Sequence, residues 1–183
     1  MVIDGNGLGI GLIDYMIKTQ IDADTNEIYP DFGVENDVEN YYKKFRTAAC
    51  EFDAMYIIKA TAPINTEAHA NAQSQLSSGK VKMLIDERSA KAKLMGTKRG
   101  QEMKPEERAE YLKPFTLTSI LKEEMLNLRE ETEGLNIILK QSNKAIKKDK
   151  FSAFEYGLYY IKQEEDNKRR RRRSSIAEMM FLN

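Results

Sequence analysis

Met1-Val-Ile-Asp-Gly-Asn-Gly-Leu-Gly9 opens the chain and decides how the rest is read. A short apolar run ends in an acid, and Gly5-Asn6-Gly7 then reads as a tight turn, because glycine reaches backbone angles closed to other residues. Leu8, Leu12, Ile13, Met16 and Ile17 recur at helical spacing. The stretch predicts strand, turn and helix, with Asn6 as the helix N-cap and Asp4 at the carboxyl end of the strand. In layered α/β folds that end is where loops and helix N-termini gather around a ligand.

A dinucleotide fingerprint does not fit these glycines. Counted from Gly5, Ile10 stands where the third glycine of G-x-G-x-x-G belongs; counted from Gly7, Leu12 does. No phosphate-binding loop with Gly-Lys-Ser/Thr occurs. The turn is better read as one that lets backbone approach a metal or a phosphate.

Further along, residues 19–40 are rich in Asp, Asn and Gly and read as a loop or irregular hairpin. Met55 to Ala60 reads as a second strand, about Asn65 to Leu76 as a helix stopped by Ser77-Ser78-Gly79, and Val81 to Asp86 as a third strand. Residues 87–114, broken by Gly96, Gly100 and Pro105, predict short helices and a mobile loop. Leu117, Ile120, Leu121, Met125 and Leu128 stripe an amphipathic helix that ends before Gly134, and Leu135 to Lys140 is the fourth strand. Phe151, Phe154, Leu158 and Ile161 stripe a final helix, and Glu164 to Arg173 read as solvated irregular chain. Strands alternating with helices predict an α/β class with a mixed sheet flanked by helices.

The 183 residues, 41% hydrophobic, suffice for one domain with a real core. Cys50 is the only cysteine, which excludes an internal disulfide and a cysteine zinc cluster and suits a reducing compartment. No apolar run is long enough to span a bilayer and no leader pattern opens the chain, so a cytoplasmic location is expected. The net charge of zero hides segregation: Lys168 to Arg173 are six consecutive basic residues. Lys140 to Lys150 add five basic residues against one acid, whereas residues 1–53 are acid-rich. That pattern suits metal on one patch and a polyanion on another, although solvated surface charge is the commoner cause of any one cluster.

Asp4 and Asp149 are the acids placed for chemistry, one ending a strand and the other preceding the last helix. Carboxylate oxygens are the donors that Mg²⁺ and Mn²⁺ prefer. Spacing alone equally allows both to be turn or cap residues. Lys144, Lys147, Lys148 and Lys150 flank Asp149, where they would neutralise DNA phosphates or form a solvated loop. His69, the only histidine, lies in an expected helix and reads as a packing or capping residue.

Asp4-Gly-Asn-Gly-Leu-Gly9 resembles the second nuclease motif of phage terminase large subunits, and Asp149-Lys-Phe-Ser-Ala-Phe154 resembles their third. Ala62 to His69, the segment around Lys80 to Glu87, and Pro114 to Glu124 are similar to the same family, so the likeness covers most of residues 1–165. It implies an RNase H-like nuclease fold and a hydrolase that cuts concatemeric double-stranded DNA during packaging. Asp4 and Asp149 would be catalytic ligands of two Mg²⁺ or Mn²⁺ ions, one activating water and the other steadying the leaving oxygen. The family's first motif, an Asp on an opening strand, would lie upstream of Asp4. The resemblance therefore implies a partial nuclease domain over 1–165, lacking its first strands, with a basic flexible tail over 166–183.

Partners implied are double-stranded DNA, the portal protein, the terminase small subunit and an upstream ATPase fragment, with no membrane. Two function classes remain open: this metal-dependent endonuclease, and a non-catalytic DNA- or portal-binding assembly module from a truncated or split prophage gene.

Overall fold

A computed structural model describes residues 1–47, 50 and 52–181. The last two residues of the tail expected over 166–183 lie outside that set. Among the described residues the fold is mixed α/β, built of helices and three small sheets, and it divides into two compact units: Met1–Ala68 with Tyr156–Asn183, and His69–Glu155.

In the first unit, β1 (Val2–Asp4), β5 (Asp53–Ile58) and β4 (Gly33–Val34) form a parallel sheet in the order β1-β5-β4. Val2 faces Tyr56 and Asp4 faces Ile58. Parallel strands need a covered face, and α1 (Leu8–Met16) supplies it. Ile13 and Ile17 from α1 and the loop that follows it bury against Ile3, Met55, Ile57 and Val34. Met16, Phe32 and Tyr42 close the edges of this core. β2 (Gln20–Ile21) and β3 (Ile28–Tyr29) form a separate short hairpin, as the composition of 19–40 suggested. Asp37 pins the Lys43–Phe45 3-10 turn by accepting the backbone N–H groups of Tyr41, Tyr42 and Lys43 at 2.8, 2.8 and 2.9 Å. The first residues of α2 (Ala62–Ser77) and the later turns of α6 (Asp149–Phe181) complete the unit. They are tied by Tyr156 donating to Asn65 at 3.0 Å, Lys162 to Glu67 at 2.8 Å, and Tyr160 to Glu35 at 2.9 Å. The Glu35 carboxylate and burial together push the Tyr160 phenol up to about 12.

The second unit differs most from the reading of the sequence. Residues 81–86 are irregular and form no strand; they lead into α3 (Glu87–Met95), whose N-cap is Asp86. Its carboxylate accepts the Ser89 N–H at 2.9 Å and the Ser89 hydroxyl at 2.7 Å. An apolar run ending in Asp satisfies a strand pattern and a helix entry alike, and here the capping bonds decide. The short helices expected over 87–114 are present as α3, α4 (Lys98–Glu102) and the start of α5 (Pro105–Leu126), but they pack around a core of their own in place of a mobile loop. Ala90, Leu94 and Leu112 form their core with Met103 and Phe115 against it. Pro105 sits at the start of α5, where its missing N–H costs nothing, and Pro114 is carried inside the helix.

The helix also ends earlier than its stripe suggested. Leu128–Glu133 is β6, which turns through Gly134 at φ 61° into β7 (Asn136–Gln141). Asp149 then begins α6, which runs as continuous helix to Phe181 through the segment expected to be irregular. The strands make one parallel sheet and two hairpins in place of a single mixed sheet, because β7 takes β6 as its partner.

Asn127 locks this junction. It is buried, accepts the Asn143 N–H at 2.8 Å, and donates to the carbonyls of Asn143 at 2.9 Å and Ile146 at 3.4 Å. Asn127→Ala removes these bonds to the Asn143 N–H and carbonyl, while Ile146 keeps Gln141 as donor, and is expected to cost about 2 kcal/mol, read as a lower urea midpoint. An unchanged midpoint would contradict the assignment.

Candidate functional site

Asp4 ends β1 with its side chain exposed. Its Oδ1 accepts the Asn6 N–H at 3.0 Å, closing an Asx turn, while the Gly5 N–H donates to the Ile58 carbonyl at 2.7 Å. The Asn6 side chain is spent on the Ala60 carbonyl at 3.4 Å and caps nothing: the N-cap is Gly7, at φ 56°, and no side chain caps α1. The N-cap expected at Asn6 is thus displaced by one residue, and the Asn6 side chain is turned to Ala60 in place of the helix. Asp4 is held at the carboxyl ends of two parallel strands, where the sequence placed it.

Asp149 belongs to the second unit, is exposed, and is the first residue of α6. Two buried side chains near the end of α5 position the loop that leads to it. Asn127 holds 142–146, and Glu124 accepts the Phe151 N–H at 2.9 Å with the Lys150 ammonium 3.7 Å away. Glu124 is therefore a second acid at the N-terminus of α6 beside Asp149, a position where the helix dipole favours negative charge. Lys144, Lys147 and Lys148 are exposed on this loop, whereas Lys150 is drawn to Glu124. Asp149 and the three free-standing lysines share one short segment; Asp4 lies in the other unit. Both carboxylates supply the hard oxygen donors that Mg²⁺ and Mn²⁺ take. Among the described residues, no group of three or more His, Cys, Asp or Glu side chains is spaced to hold one ion.

A cluster that spacing did not reveal lies around His69, in the second unit. Its Nε2 is 3.4 Å from Glu130 Oε2 on β6, and its Nδ1 is 3.8 Å from Glu155 Oε2 on α6. The Glu155 side chain is 7% exposed and that of His69 14%, so each charge depends on the other. Glu155 raises the imidazole above its ordinary 6.5, burial opposes this, and Glu130 adds to the rise. Stabilisation from the raised group is complete below the unfolded value of about 6.5 and is lost as pH rises through the folded value. The His69 imidazole, followed by NMR, is expected to titrate above 6.5, and unfolding midpoints should fall across that window in the parent chain but not in His69→Asn. Titration at or below 6.5 would exclude the ion-paired geometry.

Lys168 to Arg172 are exposed on α6, with Arg169 3.9 Å from both Glu165 and Asp166. No helix among the described residues is long and apolar enough to cross a membrane. No family model, curated protein or solved structure matches the chain.

Proposed function

We propose that the chain is a metal-dependent DNA endonuclease domain of the phage terminase large-subunit type, RNase H-like in fold, cutting concatemeric double-stranded DNA. The observation that carries this reading is Asp4, an exposed carboxylate fixed by an Asx turn at the carboxyl ends of β1 and β5. Asp149, opening α6 beside exposed Lys144, Lys147 and Lys148, supports it. Mg²⁺ or Mn²⁺ would supply activated water and charge for the leaving oxygen. The protein's part is to present Asp4 and Asp149 to the ions and the three lysines to backbone phosphates.

The purified chain is expected to nick supercoiled plasmid with Mn²⁺ and to stop on chelation. DNA binding without metal-stimulated nicking would remove the nuclease reading.

The exposed Lys168–Arg172 run favours a second reading, a non-catalytic module that binds DNA or a portal protein. Such a module binds DNA with an affinity that falls steeply with salt, by a slope of about 0.9 per neutralised phosphate, and never cleaves it.

A further inference from the structure

Beside His69, wholly within the second unit, lies an open cavity of about 200 Å³. Leu76, Met125, Leu128, Leu139 and Phe151 give it apolar walls, and His69, Gln73 and Glu130 form its polar side. None of its lining residues, all described, is Lys or Arg. A dry cavity of about 150 Å³ already holds benzene, so this one has room for a single ring with a small head group.

The charge on the polar side selects the head group. Glu155, buried behind His69, and Glu130, in front of it, are two carboxylates sharing one imidazole. With the imidazole charged the cluster carries −1, and with it neutral −2, so an anion is repelled in either state. The Glu130 side chain lines the cavity, is 47% exposed and has a long 3.4 Å contact to His69, so its carboxylate is left short of donors. A ligand that brings N–H donors and a positive charge meets that need, and Phe151 offers an aromatic wall for its ring. We propose that this cavity binds a small organic cation with a flat apolar body, its ammonium or amidinium against Glu130 and its ring among Leu76, Met125, Leu139 and Phe151. The proposal is independent of the nuclease reading, because none of these residues is assigned to the metal or to DNA.

Benzamidine is the probe and toluene its uncharged control, each titrated into the full chain and followed by NMR at the His69 imidazole and the leucine methyls. Benzamidine is expected to saturate with a Kd on the order of 1 mM, as a fragment does. Toluene should bind at least about fivefold more weakly, and Glu130→Gln should weaken benzamidine about threefold to fivefold. Bound benzamidine should also lower the pH at which His69 titrates, since ligand and proton compete for the same carboxylates. Leu139→Phe and Leu76→Phe fill the cavity without touching a charge, and whichever variant melts as a folded protein should no longer saturate. Equal binding of toluene, saturation unaffected by Glu130→Gln, or shifts away from His69 would each overturn the proposal.

Discussion

Asp4→Asn and Asp149→Asn are each expected to reduce Mn²⁺-dependent nicking on the order of 100-fold while leaving DNA affinity within about twofold. The amide isolates chemistry from folding at both places. At position 4 an asparagine oxygen still accepts the Asn6 N–H that closes the turn, so the strand end keeps its shape. At position 149 the loop is held by Asn127 and the α6 entry by Glu124, neither of which relies on the Asp149 side chain. What both substitutions remove is a negative oxygen for a divalent ion, and with it the means to activate water and steady the leaving group. Lys144, Lys147 and Lys148 remain exposed, so phosphate binding continues. Asp86→Asn is the matched control, because Asp86 is also exposed but is spent on capping α3 through Ser89, and nicking should be unchanged. Parental nicking by both Asp4→Asn and Asp149→Asn would return the two acids to turn and cap duty.

The opening strand, turn and helix were legible because the three signals lie within 17 residues and agree: an apolar run, Gly5-Asn6-Gly7, then apolar residues at helical spacing. β5 and α2 were legible for the same reason. Val81 to Asp86 misled because an apolar run is read as a strand until a sheet edge is available to it, and none pairs with it here. β6 was hidden by its composition, Leu-Arg-Glu-Glu-Thr-Glu: a hairpin exposed along most of one strand needs no apolar alternation. The broken segment read as ending at 114 has no boundary there: α5 runs through Pro114, since tertiary packing of Leu112 and Phe115 outweighs one lost hydrogen bond.

The positions of Asp4 and Asp149 could be read locally. Their supports could not: Glu124 reaches Phe151 across 27 residues and His69 reaches Glu130 across 61. Such pairings are set by which faces pack, which no spacing rule encodes. The only local hint of the His69 cluster was a lone histidine in a helix, a pattern that more often marks ordinary packing.

Gly9→Ala should be the most damaging single-methyl change near the candidate site, and Gly11→Ala, two residues on, should be benign. Both glycines lie in α1, where alanine is ordinarily preferred by about 1 kcal/mol. A Cβ at Gly11 meets nothing within 4 Å, so that preference is realised, and Gly11→Ala should raise the melting temperature by roughly 2–4 °C for a chain of this size. A Cβ at Gly9 would stand 1.6 Å from the Asp4 carbonyl oxygen and 2.8 Å from its carbon, where ordinary contact is 3.4–4 Å. Both sides of that contact are backbone, so no side chain can swing away. Either α1 withdraws from β1, pulling Ile13 out of the core with Ile3 and Met55, or the strand end carrying Asp4 moves. Overpacking of this kind costs about 3 kcal/mol against the roughly 1 kcal/mol that the helix preference returns, and the melting temperature should fall by roughly 4–8 °C. The displaced carbonyl belongs to Asp4 itself, so Gly9→Ala should lose nicking even at temperatures where it remains folded. Gly11→Ala should nick as the parent does. If Gly9→Ala melts and cleaves like the parent, α1 does not press on the end of β1, and the turn that presents Asp4 is built differently.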